Sequence, residues 1–116
     1  MSLVIRSPSI YVAQMPIDFR RGINGLCGII QSYFKTDPKE GLYVFYNRRR
    51  NRLKLLIWHH NGFMLIYKQL AHGQFPFVFS EKSDRLRLHE KQLQGLLLGL
   101  DWQHINGWQD IDFSYF

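Results

Sequence analysis

The sequence predicts one small domain of the α+β class, in which an antiparallel sheet of about four to six strands packs against two α-helices. Short runs of β-branched and aromatic residues, separated by turn residues, occupy the middle of the chain, and apolar residues recur at helical spacing on either side. No repeat, low-complexity tract or Pro/Gly/Ser-rich linker divides the 116 residues. We therefore expect residues 1–116 to form a single domain.

The segment before this sheet predicts a strand followed by a helix. Residues 9–15 are typical of a short strand, which Pro16 ends, and Asp18 is a candidate helix N-cap because its carboxylate can accept backbone N–H groups. From Ile23 onwards the apolar residues fall at helical spacing, at Leu26, Cys27, Ile30, Tyr33 and Phe34. The dipeptide Asp37-Pro38 ends this helix.

Three glycines recur along the predicted helix, at Gly22, Gly25 and Gly28. Each weakens a helix by up to about 1 kcal/mol relative to alanine. Because they lie three residues apart, they share nearly the same helix face, and we expect another element to pack closely against that face.

The middle of the chain predicts two consecutive β-hairpins. Leu42–Tyr46 and residues 52–58 are β-rich runs joined by a short basic connection. Alternation assigns every second residue of the later run to a core face, namely Leu53, Leu55 and Ile57. Its other face is basic near the turn and apolar further away, with Arg52, Lys54, Leu56 and Trp58. Asn61-Gly62 then predicts a type I′ turn into a strand over residues 63–68, because both residues tolerate positive φ.

The last third of the chain predicts further short elements. Gly73 marks a turn before a short strand over residues 75–79, which Pro76 confines to an edge or a bulge. Arg85–Leu88 alternates like another strand, and residues 90–100 carry leucines at helical spacing, which predicts a second amphipathic helix. The aromatic tail over residues 103–116 could dock on the sheet, mediate self-association or be poorly ordered.

The net charge of +6 is distributed unevenly. Residues 1–80 contain eleven Lys or Arg and three acids, a balance of +8, whereas residues 81–116 contain four bases and six acids, a balance of −2. Five of the bases fall within the seven residues from Arg48 to Lys54. This density creates a positive potential that could attract phosphate, RNA or an acidic partner; the alternative is a solvated arginine-rich turn that serves solubility.

Composition and motifs argue against membrane proteins and enzymes. No apolar run approaches the ~20 residues of a membrane-spanning helix, and the single cysteine cannot form an internal disulfide, so we expect a soluble cytoplasmic protein. Phosphate-binding glycine loops and nucleophile elbows are absent from the sequence. Cys27 is interpreted as a small buried hydrophobe, and His59 and His60 as strand neighbours that face apart and cannot share a metal. We expect no catalytic residue, no cofactor and no metal.

Five basic side chains are the candidate DNA-binding residues: Arg48, Arg49, Arg50, Arg52 and Lys54. The first three fall in or beside a hairpin turn, where side chains project into solvent, and the other two continue along one face of the next strand. A basic two-stranded ribbon fits the DNA major groove, and guanidinium groups can contact phosphates or guanine edges.

Further residues could supplement this surface. Arg20 and Arg21 fall in the first turn of the predicted helix, where cations oppose the helix dipole and therefore hint at a partner. Lys68 is another candidate. Tyr46 and Trp58 could add aromatic surface, or they could pack in the core.

Several segments, in this order, resemble one protein family. Residues 18–26 resemble its Asp-x-Arg-Lys/Arg-Gly-x-x-Gly-Leu motif, and residues 44–58 are similar to its arginine-rich central signature. Residues 61–70, 73–75 and 92–102 continue the resemblance. The family comprises the accessory proteins from the second reading frame (TnpB-type) of bacterial insertion sequences of the insertion sequence sixty-six family. The resemblance covers about residues 6–102, which implies a family-like α+β core over residues 4–102 and a variable C-terminal tail over 103–116.

Four positions depart from the family's pattern. Asn51 stands where the family usually has an acid, His59 where an aspartate commonly follows the tryptophan, and Ala71 where a glutamate is common. His89 replaces the serine or threonine expected to cap the last helix. The three missing acids make this chain more basic than is typical of the family.

The resemblance implies a role in transposition beside a separate transposase, which would carry the strand-transfer chemistry. It provides no catalytic residues to transfer to this chain. Our hypothesis is a non-catalytic accessory protein that binds DNA, at element ends or target sites, through the Arg-rich hairpin. The alternative is a protein-interaction module that docks the transposase without contacting DNA, which the aromatic tail and the glycine-lined helix favour. A small nuclease is a third class and would need several converging carboxylates.

Overall fold

The fold is a five-stranded sheet with a helix on each face, seen in a computed structural model that describes residues 9–80 and 85–98. The strands are β1 (Ile10–Ala13), β2 (Leu42–Tyr46), β3 (Arg52–His59), β4 (Gly62–Gln69) and β5 (Arg85–Leu88). Helix α1 (Ile23–Ile29) continues as a π-helical turn over Ile30–Phe34, a 3₁₀ turn covers Pro38–Glu40, and α2 spans Glu90–Leu97. These elements confirm the predicted α+β class.

The sheet is mixed, with the strand order β4-β3-β2-β1-β5. Three neighbouring pairs are antiparallel, but β1 and β2 are parallel, so the expectation of a wholly antiparallel sheet is wrong at this pair. The reason is the helix between them: α1 carries the chain back to the end of the sheet where β1 began, as parallel neighbours require.

A hydrophobic core covers the central strands on each face of the sheet. On one face, Leu26, Ile30 and Phe34 of the α1 segment pack on strand residues Ala13, Tyr43, Phe45 and Leu56. On the other face, α2 and residues 75–77 cover the predicted core positions Leu53, Leu55 and Ile57. The second face of β3 is therefore a second core rather than a partly solvated surface, and we call the two sides of the sheet the α1 side and the α2 side.

Helix α1 begins later than the candidate cap Asp18 predicts. Its N-cap is Gly22, which makes no side-chain cap hydrogen bond. The Asp18 carboxylate instead accepts the backbone N–H and the guanidinium of Arg20, so a local contact two residues away competes for it. Arg20 and Arg21 consequently lie in the loop before the helix and not in its first turn.

The close packing predicted for the glycine face is wrong. A Cβ atom at Gly22 or Gly28 would meet no atom within 4 Å, and one at Gly25 would meet the side chain of Arg21. The helix packs on the sheet through Leu26 and Ile30 instead. Its π-helical extension ends at Lys35, which takes up the left-handed conformation with φ of 57° before Asp37-Pro38 is reached.

The second hairpin forms, but its turn lies one residue earlier than predicted. β4 already begins at Gly62, which pairs with His59, and the residue with positive φ is His60 (54°). This register places Met64 and Ile66 on the same side as Ile57 and Leu55. A shift by one residue would move the apolar residues of β4 to the opposite face, so packing determines where the turn lies.

Residues 75–79 do not form the predicted strand. Phe75 and Phe77 are buried against Tyr46, with ring centroids 5.5 and 4.6 Å from its ring. The N–H of Phe77 donates to the carbonyl of Phe75 at 2.8 Å, a local bond that an extended strand cannot make. Helix α2 forms as predicted through Leu97; the last residues of its predicted span and the tail over residues 103–116 lie outside the described residues.

Candidate nucleic-acid interface

The turn between β2 and β3 carries the arginine-rich stretch, and two asparagines hold its shape. Asn47 Oδ1 accepts the backbone N–H groups of Asn51 (3.1 Å) and Arg52 (3.0 Å), and Asn47 Nδ2 donates to Asn51 Oδ1 (2.6 Å). The N–H of Arg50 donates to the carbonyl of Asn47 at 3.0 Å. Asparagine side chains commonly close turns in this way. Sequence reasoning missed both residues, although asparagines on either side of the arginine run were a visible signal.

A shallow, open pocket of about 270 Å³ lies on this turn, lined by Asn47, Arg48, Arg49, Asn51 and Arg52. Arg48 and Arg49 are exposed, and their guanidinium groups have no hydrogen-bond or ion-pair partner among the described residues. Arg52 is partly buried, and its Nε atom has no hydrogen-bond partner within the same part of the chain. Three arginines line this pocket and no acidic residue of the described ranges does, which favours binding of an anion such as phosphate.

Two of the candidate residues serve the fold on the α2 side of the sheet. Arg50 Nη1 donates to the carbonyl of Phe77 at 2.6 Å and Arg50 Nη2 to Gln74 Oε1 at 3.5 Å. Lys68 Nζ donates to the carbonyl of Leu97, at the C-terminal end of α2, where the helix dipole favours a cation. The structure thus separates Arg50 and Lys68 from the pocket.

Lys54 anchors a loop and offers little of its charge to solvent. Its side chain is buried on the α1 side, and Nζ donates to the carbonyls of Phe19 (2.8 Å) and Arg21 (2.7 Å). The ammonium also lies 4.9 Å from the centroid of the Phe19 ring. Burial lowers the pKa of Lys54. Lys54 therefore helps to hold the loop before α1 against β3, together with the packing of Ile17 and Phe19 beside Leu56.

The anchored loop brings two further arginines to the α1 side of the turn. Arg20 and Arg21 are both exposed, and the carbonyl of Arg21 touches Lys54, two residues along the same strand face from Arg52. The guanidinium of Arg20 donates to Asp18, with both carboxylate oxygens 3.0 Å from Nε, and this lowers the pKa of Asp18 to about 2. The side chain of Arg21 makes no hydrogen bond within the described residues. We call Arg21, Arg48, Arg49 and Arg52 the basic surface.

Tyr46 and Trp58 do not extend the basic surface. Tyr46 is fully buried under Phe77, and Trp58, at the far end of β3 from Arg52, packs on Phe63 with the ammonium of Lys39 4.4 Å above its ring. The exposed aromatic residue on the relevant side is Tyr67, which is 47% exposed and pairs across the strands with Lys54. Sequence reasoning missed it because alternation within β4 does not reveal that β4 is an edge strand.

Cys27 and the adjacent histidines are the residues considered from the sequence for nucleophilic or metal chemistry. Burial raises the pKa of the Cys27 thiol, which opposes formation of the nucleophilic thiolate. The prediction that His59 and His60 face apart is wrong, because His60 lies in the turn and not in the strand. The centroids of their two rings are 4.4 Å apart. Residues 9–80 and 85–98 hold no group of three or more His, Cys, Asp or Glu suited to a metal ion, and none of their helices could span a membrane.

Comparison with known proteins relates nearly the whole chain to one family. The family described as "IS66 Orf2 like protein" matches residues 8–107. Uncharacterized protein y4jC of Sinorhizobium fredii is 37% identical over 101 residues, 86% of each chain. Uncharacterized protein y4hO of the same organism is 31% identical over 96 residues, which are 82% of this chain and 83% of the relative. No solved structure matches. Since the match includes the whole basic surface and the sheet that supports it, the chain belongs to the IS66 Orf2-like family of transposition-associated accessory proteins.

Proposed function

We propose that this protein binds DNA as a non-catalytic accessory factor in transposition, and that the basic surface contacts the phosphate backbone. The observation that carries the proposal is the pocket at the β2–β3 turn, which is lined by three arginines and by no carboxylate from the described part of the chain. Guanidinium groups bind phosphate oxygens through paired, charge-assisted hydrogen bonds. The guanidinium groups of Arg48 and Arg49 make no contact that holds the turn within the described residues, because the side chains of Asn47 and Asn51 do so.

The proposal predicts a particular form of binding. Contacts to phosphates position a protein on DNA and carry little sequence information, so affinity should depend strongly on salt and weakly on sequence. Four arginines that each neutralise one phosphate give a slope of log affinity against log salt of roughly −3 to −4. The proposed partners are the element ends or the target DNA, together with the transposase of the same element, which performs the strand transfer.

The double substitution Arg48→Glu/Arg49→Glu tests the proposal by fluorescence anisotropy at two salt concentrations. Unlike Arg50, neither side chain supports the fold, so we expect the variant to fold. Its affinity for DNA should fall at least about 10-fold, and its slope of log affinity against log salt should be smaller by about 2. The matched control is Lys35→Glu/Lys39→Glu, which makes the same change in net charge at exposed lysines away from the turn. Equal losses in the two variants, or no binding by the unmodified protein at low salt, would contradict the proposal.

The outer edge of β4 favours a second candidate function, docking of the transposase. β4 is an edge strand, its residues 63–67 are all apolar, and every one of them is at least partly exposed. An open edge of this kind can accept an extended segment of a partner as an additional strand. This docking does not require the arginines of the turn.

Retention of the transposase on immobilised protein separates the two candidates. Leu65 is partly buried against the α1-side core, so the test requires Leu65→Lys protein that thermal melting shows to be folded. This substitution places a charge on the edge strand and should abolish retention, whereas Arg48→Glu/Arg49→Glu should leave it unchanged. Docking at this edge is contradicted if the unmodified protein retains no transposase or if Leu65→Lys retains as much.

A further inference from the structure

Tyr67 is a half-exposed aromatic ring that the fold supports from one side. It is one of the two exposed large hydrophobic residues in the described ranges, the other being Val78. The ring of Phe19 meets it at 6.0 Å between centroids with an angle of 61°, and the Tyr67 hydroxyl lies 3.4 Å from Gln69 Oε1. Phe19 is itself positioned by its contacts with Lys54. The ring is thus supported against β3 while 47% of the residue stays exposed.

The backbones of two arginines of the basic surface lie close to Tyr67 in the fold. In the β3–β4 register Arg52 lies opposite Gln69 and Lys54 opposite Tyr67, so Arg52 and Tyr67 are diagonal neighbours on the α1 side. Such neighbours lie about 7–8 Å apart. The loop that supplies Phe19 also carries Arg21, whose carbonyl binds the Lys54 ammonium directly beneath. The exposed ring therefore lies on the same side of the sheet as Arg52 and next to the loop that carries Arg21.

An aromatic ring among arginines matches the chemistry of an unpaired nucleotide. A base stacks on the ring, and the phosphates on either side of it bind guanidinium groups. In an intact duplex each base is stacked on its neighbours, so an aromatic side chain outside the helix cannot reach a base face. Phosphate contacts alone would not need a ring at this position.

We propose that Tyr67 is a stacking platform for an unpaired base of a DNA strand whose phosphates lie on the basic surface, so that the protein binds single-stranded DNA. This inference rests on the proposed function and names the form of DNA that the site takes. In this inference the ring of Tyr67 stacks on the base, and Arg21 and Arg52 bind the phosphates on either side of it.

Fluorescence anisotropy with an oligothymidylate of about 20 nucleotides, and with a duplex of equal length, tests the inference. Tyr67→Leu keeps an apolar contact with Phe19 but removes the ring, and we expect it to weaken single-strand binding roughly 5- to 100-fold while duplex affinity changes less than about twofold. The matched control Tyr67→Phe keeps the ring and should bind like the unmodified protein. Thermal melting verifies that both variants fold.

The outcomes distinguish this inference from the proposed function. If the duplex binds and the oligothymidylate does not, or if Tyr67→Leu and Tyr67→Phe bind it equally, the inference is overturned and the proposed function stands. If neither DNA binds, both are overturned. Tighter binding of oligouridylate than of oligothymidylate overturns the assignment to DNA.

Photocrosslinking of the unmodified protein to an iodouracil oligonucleotide is a second test that needs no substitution. Attachment of the oligonucleotide at Tyr67 supports the stacking platform, and attachment elsewhere overturns it.

Discussion

Arg48 and Arg50 are two positions apart in one turn and have different surroundings. Arg48 is exposed, whereas the guanidinium of Arg50 reaches the carbonyl of Phe77, 27 residues further along the chain. Arg52 and Lys54 differ in the same way. Arg52 lines the pocket, whereas the Lys54 ammonium donates to the carbonyls of Phe19 and Arg21. At this scale, five basic residues in a row are not one functional unit, and the difference between them predicts different effects of substitution.

Substitution of Lys54 should cost stability. Lys54→Met keeps the length and apolar contacts of the side chain but leaves the Phe19 and Arg21 carbonyls without their donor. We expect the free energy of unfolding to fall by about 1–3 kcal/mol, measured by urea denaturation. Lys39→Met, at an exposed lysine, is the control and should change it by less than about 1 kcal/mol. Equal effects would show that Lys54 does not anchor the loop.

Asn51 should affect the affinity for DNA more than the stability of the fold. An aspartate there can still accept the hydrogen bond from Asn47 Nδ2, so Asn51→Asp should alter the free energy of unfolding by less than about 0.5 kcal/mol. It would place a carboxylate in the pocket and lower the salt slope of DNA binding by about 1. Asn61→Asp, in an exposed turn at the far end of β3, is the control. An unchanged slope for Asn51→Asp would argue against a phosphate in this pocket.

At the scale of elements, α2 shows how an unexpected residue can fill a structural role. His89 replaces the serine or threonine expected at its N-cap, yet His89 Nδ1 accepts the N–H of Lys91 at 3.3 Å. Gln92 Oε1 completes the cap by accepting the N–H of His89 at 2.8 Å. A ring nitrogen thus replaces the hydroxyl as acceptor, and the helix begins where the sequence predicts.

The cap predicts a difference between two substitutions of His89. His89→Ala removes the acceptor and should lower the free energy of unfolding by about 1 kcal/mol, whereas His89→Ser restores an acceptor and should change it by a few tenths. Urea denaturation followed by circular dichroism measures both. If alanine and serine prove equivalent, the side chain of His89 is not acting as a cap.

At the scale of the whole molecule, the two helices cover the centre of the sheet, and β4 forms one of its two edges among the described residues. β2 lies between β1 and β3, and all five of its residues are buried. β4 lies at the edge, beside the basic turn, and its residues are partly or fully exposed. The protein therefore combines a protected core with an exposed margin where both proposed binding sites lie.

Backbone amide hydrogens should exchange more slowly at the centre of the sheet than at its β4 edge. We expect the amides of β2 to exchange slowest, through global unfolding, and every second amide of β4 to exchange by local opening because it points away from β3. Exchange measured by nuclear magnetic resonance tests this. Slow exchange along the whole of β4 would show that another segment or a second molecule already pairs with its edge.

The α+β class, the central hairpins and the position of the basic turn were predictable from sequence, because alternation and turn chemistry act between residues close together in the chain. The parallel pairing of β1 with β2, the burial of both sheet faces and the place of residues 75–79 were not, since they depend on packing between distant segments. For the site, the sequence by itself determined that many arginines share one turn. Only the tertiary structure decided which of them bind other parts of the fold: Arg50 and Lys54 donate to the carbonyls of Phe77 and Phe19. It also decided the exposure of Tyr67, because β4 has a single neighbouring strand among residues 9–80 and 85–98.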